Sequence, residues 1–265
     1  EFTVAKENLK NDFIEAINEF GEIEAVKSNS DNRTFSLRIR KSGKRSNREN
    51  ALTQWLKTLK VFGSNSHTKF IPAEIFTLRK DLIALFLNRL FSTDGWICIL
   101  NSGQIQIGYA SVSERLITQI QHLLLRFGVI AKLKKRRVKY KQTRRTAWQL
   151  DITDAVSIKT FLNEIGIYGK DETKQQILES LESKNYQTNR DLIPVEIWNY
   201  LSFAKGDESW CSLAKRAKIK GTSNIHAGKR APTRERLQKF ATALNDKYLK
   251  ILSNSEIYWD EIVSI

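Results

Sequence analysis

An apolar stretch at residues 81–94 organises the chain and predicts a buried helix. Apolar side chains surround this helix almost completely, which is typical of a helix that packs against partners on several sides. They are Leu82, Ile83, Leu85, Phe86, Leu87, Leu90 and Phe91. The run stops at Ser92-Thr93-Asp94-Gly95, where Gly95 is expected to end the helix, and residues 96–101 then predict a strand.

Asp94 is unusual in this place because a carboxylate at the C-terminal end of a helix faces the negative end of the helix dipole. The arrangement is unfavourable unless a cation lies nearby. An ordinary core helix followed by a capping Asp-Gly turn explains the same residues. The stretch by itself therefore leaves both a structural and a functional interpretation open.

The same order of elements is predicted twice along the chain. A helix, a hairpin and a second helix are predicted first at 5–20, 23–27, 34–40 and 51–59, and again at 113–127, 129–138, 145–152 and 157–165. Phe20-Gly21 corresponds to Phe127-Gly128, Phe62-Gly63 to Tyr168-Gly169, and the segment IPAEIF to IPVEIW. The pattern predicts an internal duplication in which the first copy lacks the leading helix and first strand of the second.

Basic residues follow the predicted strands at every second position. In the strand at 34–40, apolar residues alternate with Arg38 and Arg40, which predicts one apolar face and one cationic face. Lys132, Lys134 and Arg136 have the same spacing in the second copy. The chain carries 44 Lys and Arg against 29 Asp and Glu, a net charge of +15, with cations bunched at 38–48, 132–145 and 215–239. This excess favours a polyanionic partner, most commonly nucleic acid.

Other features exclude several classes of protein. Cys98 and Cys211 are too few for a disulfide framework, which favours a reducing, cytoplasmic setting, and three dispersed histidines argue against a histidine-based metal site. No apolar run is long enough for a membrane span, so no membrane partner is expected. The chain contains no methionine, so we expect it to be a piece of a longer product.

The duplicated unit, the basic strands and the sequence LNRLFSTDG at 87–95 resemble the LAGLIDADG homing endonucleases over residues 1 to about 198. The resemblance implies two helices packed at a pseudo-twofold axis, each ending in an acid that binds Mg²⁺ at the scissile phosphates. It also implies two curved antiparallel sheets that bind the major groove of double-stranded DNA.

The resemblance also assigns roles to individual residues. It implies that Asp94 and Gly95 bind the metal, that Asp94 and Lys170 are catalytic, and that the partner acid comes from a missing N-terminal intein segment or a second copy. Arg89 stands where the family has a small residue, so wider helix packing or an outward-turned side chain is expected. DNA contacts are expected from Arg38, Arg40, Lys132, Lys134, Arg136, Lys139 and Arg145.

Residues 212–244 resemble a repressor-type helix-turn-helix, although an ordinary three-helix domain is the alternative. By this resemblance the recognition helix is expected at 222–227, and Pro232-Thr233 is expected to begin a third helix. Base contacts are expected from Thr222, Ser223, Asn224 and His226, and phosphate contacts from Lys229 and Arg230.

Residues 253–265 resemble the start of the C-terminal splicing segment of inteins found in cyanobacterial replicative helicases. The sequence thus predicts an α+β fold in which two αββαββα homing-endonuclease units are followed by a small all-α helix-turn-helix domain. The first homing-endonuclease unit is expected at 1–78 and the second at 79–190. The helix-turn-helix domain is expected at 191–250, and the start of the splicing segment at 251–265. The expected function is a Mg²⁺-dependent DNA endonuclease within an intein. The alternatives are a cleavage-inactive DNA-binding remnant and a helix-turn-helix regulator with an unrelated partner domain.

Overall fold

A computed structural model describes residues 2–28, 34–43, 49–182, 192–220 and 230–259. The chain divides into two compact units, Glu1–Asn185 and Tyr186–Ile265. The first unit mixes helices with antiparallel sheets, which confirms the α+β class. The finer division into four segments remains a prediction.

The first sheet of the first unit has three strands. The part of the chain around this sheet, from residue 2 to residue 77, contains the following elements: β1 (Phe2–Val4), α1 (Glu7–Asn18), β2 (Ile23–Lys27), β3 (Phe35–Lys41), α2 (Ala51–Thr58) and a 3-10 helix at Ala73–Thr77. The strands lie in the order β1-β3-β2, and both pairs are antiparallel. Asn50 caps α2, because its side chain accepts a hydrogen bond from the amide of Thr53 at 2.8 Å.

The second sheet has four strands in the order β4-β5-β7-β6, all antiparallel. Its region contains α3 (Lys80–Asp94), β4 (Gly95–Ile99), β5 (Ile105–Ser111), α4 (Glu114–Leu125), β6 (Lys132–Tyr140), β7 (Thr143–Ile152), α5 (Ala155–Glu164) and α6 (Asp171–Glu182). From β5 onward, this region repeats the sequence of strand, helix, two strands and helix that begins at β1. In both places the last strand lies between the other two, as β1-β3-β2 and β5-β7-β6.

Helix α3 lies in the core of the first unit, with Ile83, Leu87 and Phe91 buried. The Phe91 ring packs edge-on against Tyr109 and Phe161, with centroids 5.3 and 4.9 Å apart. The other side of α3 is open, since Leu82 and Leu85 are 41% and 51% exposed. The expected burial on several sides is therefore wrong for this side of α3, where both leucines are only partly covered.

Two further details of the second region differ from expectation. Gly95 ends α3, but with φ −89° and ψ 159° it is extended rather than left-handed. Glycine is needed there for space, because a Cβ atom would lie 2.6 Å from the carbonyl oxygen of Phe91. Helix α6 occupies a stretch for which the sequence predicted no helix, and it is held by the buried side chains of Ile177 and Leu181.

The second unit contains α7 (Ile197–Ala204), α8 (Trp210–Arg216), α9 (Arg234–Leu244) and α10 (Lys247–Asn254). Trp198, Trp210 and Phe240 pack edge-on in its core. Thr233 caps α9 by accepting a hydrogen bond from the amide of Arg236, as the Pro-Thr signature predicted. The predicted recognition helix at 222–227 lies outside the described residues. Among the described helices, none is long and apolar enough to cross a membrane.

Candidate functional site

The carboxylate of Asp94 lies at the C-terminal end of α3 and is half-exposed. The Nζ of Lys69 lies 3.9 Å from its Oδ2, and the hydroxyl of Tyr109 donates a long hydrogen bond to the same oxygen at 3.4 Å. Burial first, and then the negative charge of Asp94, raise the pKa of Tyr109 far above its usual value. Tyr109 therefore keeps its proton and donates to Asp94. Lys69 supplies a cation that offsets the unfavourable interaction between the Asp94 carboxylate and the negative end of the helix dipole.

Lys170 reaches the same end of α3 from the turn after α5. Its Nζ donates to the carbonyl oxygen of Gly95 at 3.4 Å. Burial and the positive charge of Lys6 lower its pKa, while Cys98 opposes the shift. The structure thus brings Asp94, Gly95 and Lys170 together, although Lys170 was identified only by resemblance.

Lys69 was missed by the sequence reasoning, because a single lysine among many carries no pattern. It lies two residues before the repeated IPAEIF segment, but the second copy of that segment has Asp191 at the matching position, so the repeat gives no signal for Lys69. The first copy is held to α4: the Oγ of Ser113 donates to the carbonyl of Lys69 at 2.6 Å, and the amide of Ile71 donates to Gln119 at 2.8 Å. These bonds fix the backbone from which Lys69 approaches Asp94.

Asp94 and Gly95 offer one carboxylate and one carbonyl oxygen to the expected magnesium ion. Magnesium is commonly held by one or two carboxylates, with waters and substrate phosphates filling the other positions. Within the described part of the chain, no group of three or more His, Cys, Asp and Glu side chains could hold a metal. The donor set therefore fits a magnesium site only where a second acid or a phosphate contributes further oxygens.

Arg89 reaches across from α3 to α1. Its Nε and Nη2 each donate to one oxygen of Asp12 at 2.7 Å, in a bidentate ion pair. Its guanidinium also stacks on the ring of Tyr168, 4.0 Å from the centroid, and donates to Asn88. The side chain therefore lies against α1 and the turn after α5, and links the region of the first sheet to that of the second.

We expect the ion pair between Arg89 and Asp12 to contribute measurably to the stability of the first unit. In a double-mutant cycle with Arg89→Ala and Asp12→Ala, urea unfolding should give a coupling free energy of about 0.5–3 kcal/mol. Arg89→Lys should not restore it, because an ammonium has neither the planar fork nor the ring stacking. The pair of Glu7 and Lys10 on α1, whose glutamate is exposed, is the control and should give a smaller coupling free energy. Equal coupling in the two cycles would contradict the prediction.

The register of the second sheet divides the predicted DNA-contacting residues between its two faces. Lys132, Lys134 and Arg136 lie opposite Asp151, Gln149 and Ala147, and so share one face. Arg145 pairs with Val138 and falls on that same face by alternation. Lys139 pairs with Arg144 and falls on the other face.

The basic residues of the first sheet share a face, as the alternation predicted. Arg38 and Arg40 are exposed and lie opposite Val26 and Glu24 on β2. Arg40 donates from Nε to Glu24 at 3.0 Å, so one of the two cations already has an acidic partner on the sheet. An exposed pair of this kind is weak and can exchange for a phosphate.

A buried carboxylate lies on the shared basic face of the second sheet. Asp151 is 1% exposed at its side chain and accepts from Lys134 Nζ at 2.7 Å. Its other oxygen accepts from the Nε2 atoms of Gln106 and Gln149, each at 2.6 Å. Burial alone would raise the pKa of Asp151, but the hydrogen bonds from Lys134 and Gln149 outweigh it and lower the pKa. Asp151 is therefore ionised at neutral pH.

In the second unit, Arg230 is exposed, and its carbonyl oxygen accepts a hydrogen bond from the indole of Trp198 at 2.8 Å. The other residues predicted to contact DNA there lie outside the described residues, namely Thr222, Ser223, Asn224, His226 and Lys229.

Residues 81–166 match the family described as LAGLIDADG-like domain. This match begins in α3 and includes Asp94 and Gly95. It also includes the Asp151 cluster, which consists of Asp151 and its donors Gln106, Lys134 and Gln149. Of the residues gathered at the end of α3, Asp94, Gly95 and Tyr109 lie inside the matched segment, whereas Lys69 and Lys170 lie outside it.

The chain is also similar to parts of larger proteins. A replicative DNA helicase DnaB of Synechocystis sp. is 33% identical over 227 residues, 83% of this chain and 26% of that protein. The DnaB of Nostoc sp. is 35% identical over 83% of this chain and 25% of that protein. A probable translation initiation factor IF-2 of Methanocaldococcus jannaschii is 29% identical over 92% of this chain and 20% of that protein. The chain therefore spans about a quarter or less of the length of these curated relatives.

Proposed function

We propose that this chain is the endonuclease region of an intein and hydrolyses phosphodiester bonds in double-stranded DNA with the help of Mg²⁺. The observation that carries the proposal is the arrangement at the end of α3. There, a half-exposed Asp94 lies beside Lys69, and Lys170 contacts the carbonyl of Gly95. Asp94 and Gly95 lie within a segment that matches a LAGLIDADG-like domain. One acid flanked by two cations suits a reaction at a phosphate, whose charge the lysines would neutralise.

The pattern of relatives supports the intein context. Similar segments occur in proteins named as a DnaB helicase and as a translation initiation factor, and each fills a minor part of its protein. These names describe different activities, so a common named activity does not account for the similar segment. A mobile insertion explains its presence in both.

In the proposed mechanism, Asp94 and the carbonyl of Gly95 would hold the magnesium ion together with a DNA phosphate. A bound magnesium would supply Lewis-acid stabilisation of the phosphate and an activated water. The residues of the chain orient and neutralise the reacting groups. The hydroxyl of Tyr109 fixes the Asp94 carboxylate, and Lys69 and Lys170 place positive charge where the phosphate's negative charge increases.

The partner acid is proposed to come from a helix equivalent to α3, supplied by a preceding segment or by a second copy. Two observations support this part of the proposal. The order of strands and helices that starts at β1 is repeated from β5. The open side of α3 exposes Leu82 and Leu85 and borders a cavity of about 290 Å³ lined by Ala84, Asn88 and Tyr168.

The basic faces of the two sheets are proposed to bind DNA, with the second unit adding helix-turn-helix contacts.

The second sheet has an open face, which carries Lys132 and Arg136 and lies opposite the core. This face predicts different roles for two exposed lysines of β6. In duplex binding measured over a salt series, Lys132→Ala should lower the slope of log K against log salt by about 0.9, the value for one lost phosphate contact. Lys139→Ala, on the other face, is the matched control and should leave the slope unchanged. Equal effects of both substitutions would contradict the proposed face.

The experiment that tests the function uses DNA carrying the uninterrupted insertion site of the parent gene. The chain, alone and joined to the segment that precedes it, should bind this DNA in preference to unrelated duplexes, and the joined form should cut it when Mg²⁺ is added. Failure of both forms to bind would overturn the proposal.

The second candidate is a DNA-binding remnant that does not cut. Arg89 favours it, because a guanidinium paired with Asp12 occupies the side of α3 where the family places a small residue at a close helix contact. Tight, metal-independent binding without nicking in the joined form would support this candidate over the endonuclease.

A further inference from the structure

The Asp151 cluster lies on the open face of the second sheet rather than in its core. Gln106 alternates along β5 with Ile105 and Ile107, which are buried on the opposite face. The exposed side chains of Lys132 and Arg136 lie on the same face as the cluster. Asp151 is thus covered by its own three donors, and the donors themselves are only partly buried.

The carboxylate determines how both glutamine amides are oriented. An ionised carboxylate can only accept hydrogen bonds, so Gln106 and Gln149 must both turn their NH₂ groups toward it. Each amide then has one further N–H and one carbonyl oxygen that Asp151 does not use. Asp151 therefore presents two amides on this face with their oxygen and nitrogen sides already fixed.

A fixed amide of this kind complements adenine in the major groove. Adenine offers N7 as an acceptor and its N6 amino group as a donor, and a glutamine binds both atoms through one N–H and one oxygen. We infer that Gln106 and Gln149 read adenine and that Asp151 is the positioning residue that orients them. The inference rests on the proposed function, since it requires this face to lie in the major groove.

The geometry also limits which bases the pair can read. Both amides meet at the same oxygen of Asp151, whereas neighbouring base pairs are about 3.4 Å apart along the duplex. The two glutamines must therefore read the same base pair or adjacent ones. Because Asp151 holds both side chains before binding, less conformational entropy is lost when they contact the bases.

A purely structural role explains the cluster less well. The core of the unit lies on the other face of the sheet, where Ile107, Tyr109 and Leu150 are buried. Replacing a buried ionic group by well-packed apolar residues is often neutral or stabilising, so stability alone gives little reason to keep a charge there. Orienting two glutamines toward a base with matching donors and acceptors gives a direct reason for a charged side chain at position 151.

The test measures base preference at every position of the target. The full chain binds a randomised duplex library, the bound DNA is sequenced, and the measurement is repeated with Gln106→Ala, Gln149→Ala and Asp151→Asn. We expect adenine to be enriched at one position or two adjacent positions. Each glutamine substitution should lower the enrichment there about 10-fold or more. Asp151→Asn keeps the shape of the side chain, but its amide can also donate hydrogen bonds and so no longer fixes the orientation of the two glutamine amides. The adenine preferences that depend on Gln106 and Gln149 should therefore weaken together, while base preferences elsewhere in the target persist.

Gln175→Ala is the matched control, because Gln175 is exposed on α6, away from the strands of the sheet, and should leave all preferences unchanged. Thermal unfolding of each variant separates loss of folding from loss of recognition, and the two glutamine variants test the inference even when Asp151→Asn does not fold. Unchanged adenine preference in both glutamine variants, or an equal loss at every position, would overturn the inference. Absence of binding by the unsubstituted chain, both alone and joined to its preceding segment, would overturn the proposed function instead.

Discussion

Replacing Asp94 by asparagine should reduce DNA cleavage about 10²- to 10⁴-fold while leaving DNA affinity nearly unchanged. A metal ligand and its ion supply several kcal/mol of charge stabilisation in the transition state, and each 1.4 kcal/mol is about tenfold in rate. Asparagine keeps the shape of the side chain but has no charge with which to hold magnesium. Binding should persist, because the sheet faces that carry the basic residues are not altered.

The measurement is single-turnover cleavage of DNA with the uninterrupted insertion site, by the chain joined to its preceding segment, with affinity measured in parallel. Asp81→Asn is the matched control, since Asp81 lies at the opposite end of the same helix and pairs with Arg79. It should leave the cleavage rate unchanged. Equal cleavage rates for Asp94→Asn and the unsubstituted protein would show that Asp94 is not a metal ligand.

Replacing Phe91 by alanine should destabilise the first unit by about 3–5 kcal/mol, the range for truncating a buried aromatic side chain. Phe91 is 0% exposed, and its ring contacts Tyr109 on β5 and Phe161 on α5. Alanine would leave a cavity where α3, the sheet and α5 meet. The loss is a large part of the total stability of an ordinary domain.

Urea unfolding followed by circular dichroism is the measurement, and the transition of the second unit should not shift. Leu85→Ala on the open side of α3 is the control, and it should change the unfolding free energy by only about 0.5 kcal/mol. A loss below about 1 kcal/mol for Phe91→Ala would contradict the packing described for α3.

Much of the fold could be predicted, because periodicity records which side of an element is buried. The alternation along β3 correctly placed Arg38 and Arg40 on one face. Helix α6 was missed because Ile177, Leu178 and Leu181 are its only apolar residues, which leaves a mostly polar sequence. The apolar pattern of α3 alone could not show which side is open, because Leu82 and Leu85 are as apolar as the buried residues beside them.

The candidate site was predictable only in part. Asp94 and Gly95 came from a motif and Lys170 from a resemblance, whereas Lys69 belongs to no local pattern and meets Asp94 only in the folded chain. The Asp151 cluster depends on the pairing of three strands, which no single strand sequence specifies. The alternation of Lys132, Lys134 and Arg136 did contain enough information to place Lys139 on the other face.

The wide spacing of Lys69, Asp94 and Lys170 along the chain affects when the site can form during synthesis. The ribosome releases the chain from its N-terminus, so α3 and its acid emerge before the turn that carries Lys170. A nascent chain that ends before residue 170 lacks the second cation at this site. The candidate site can therefore be completed only after both sheets have been translated.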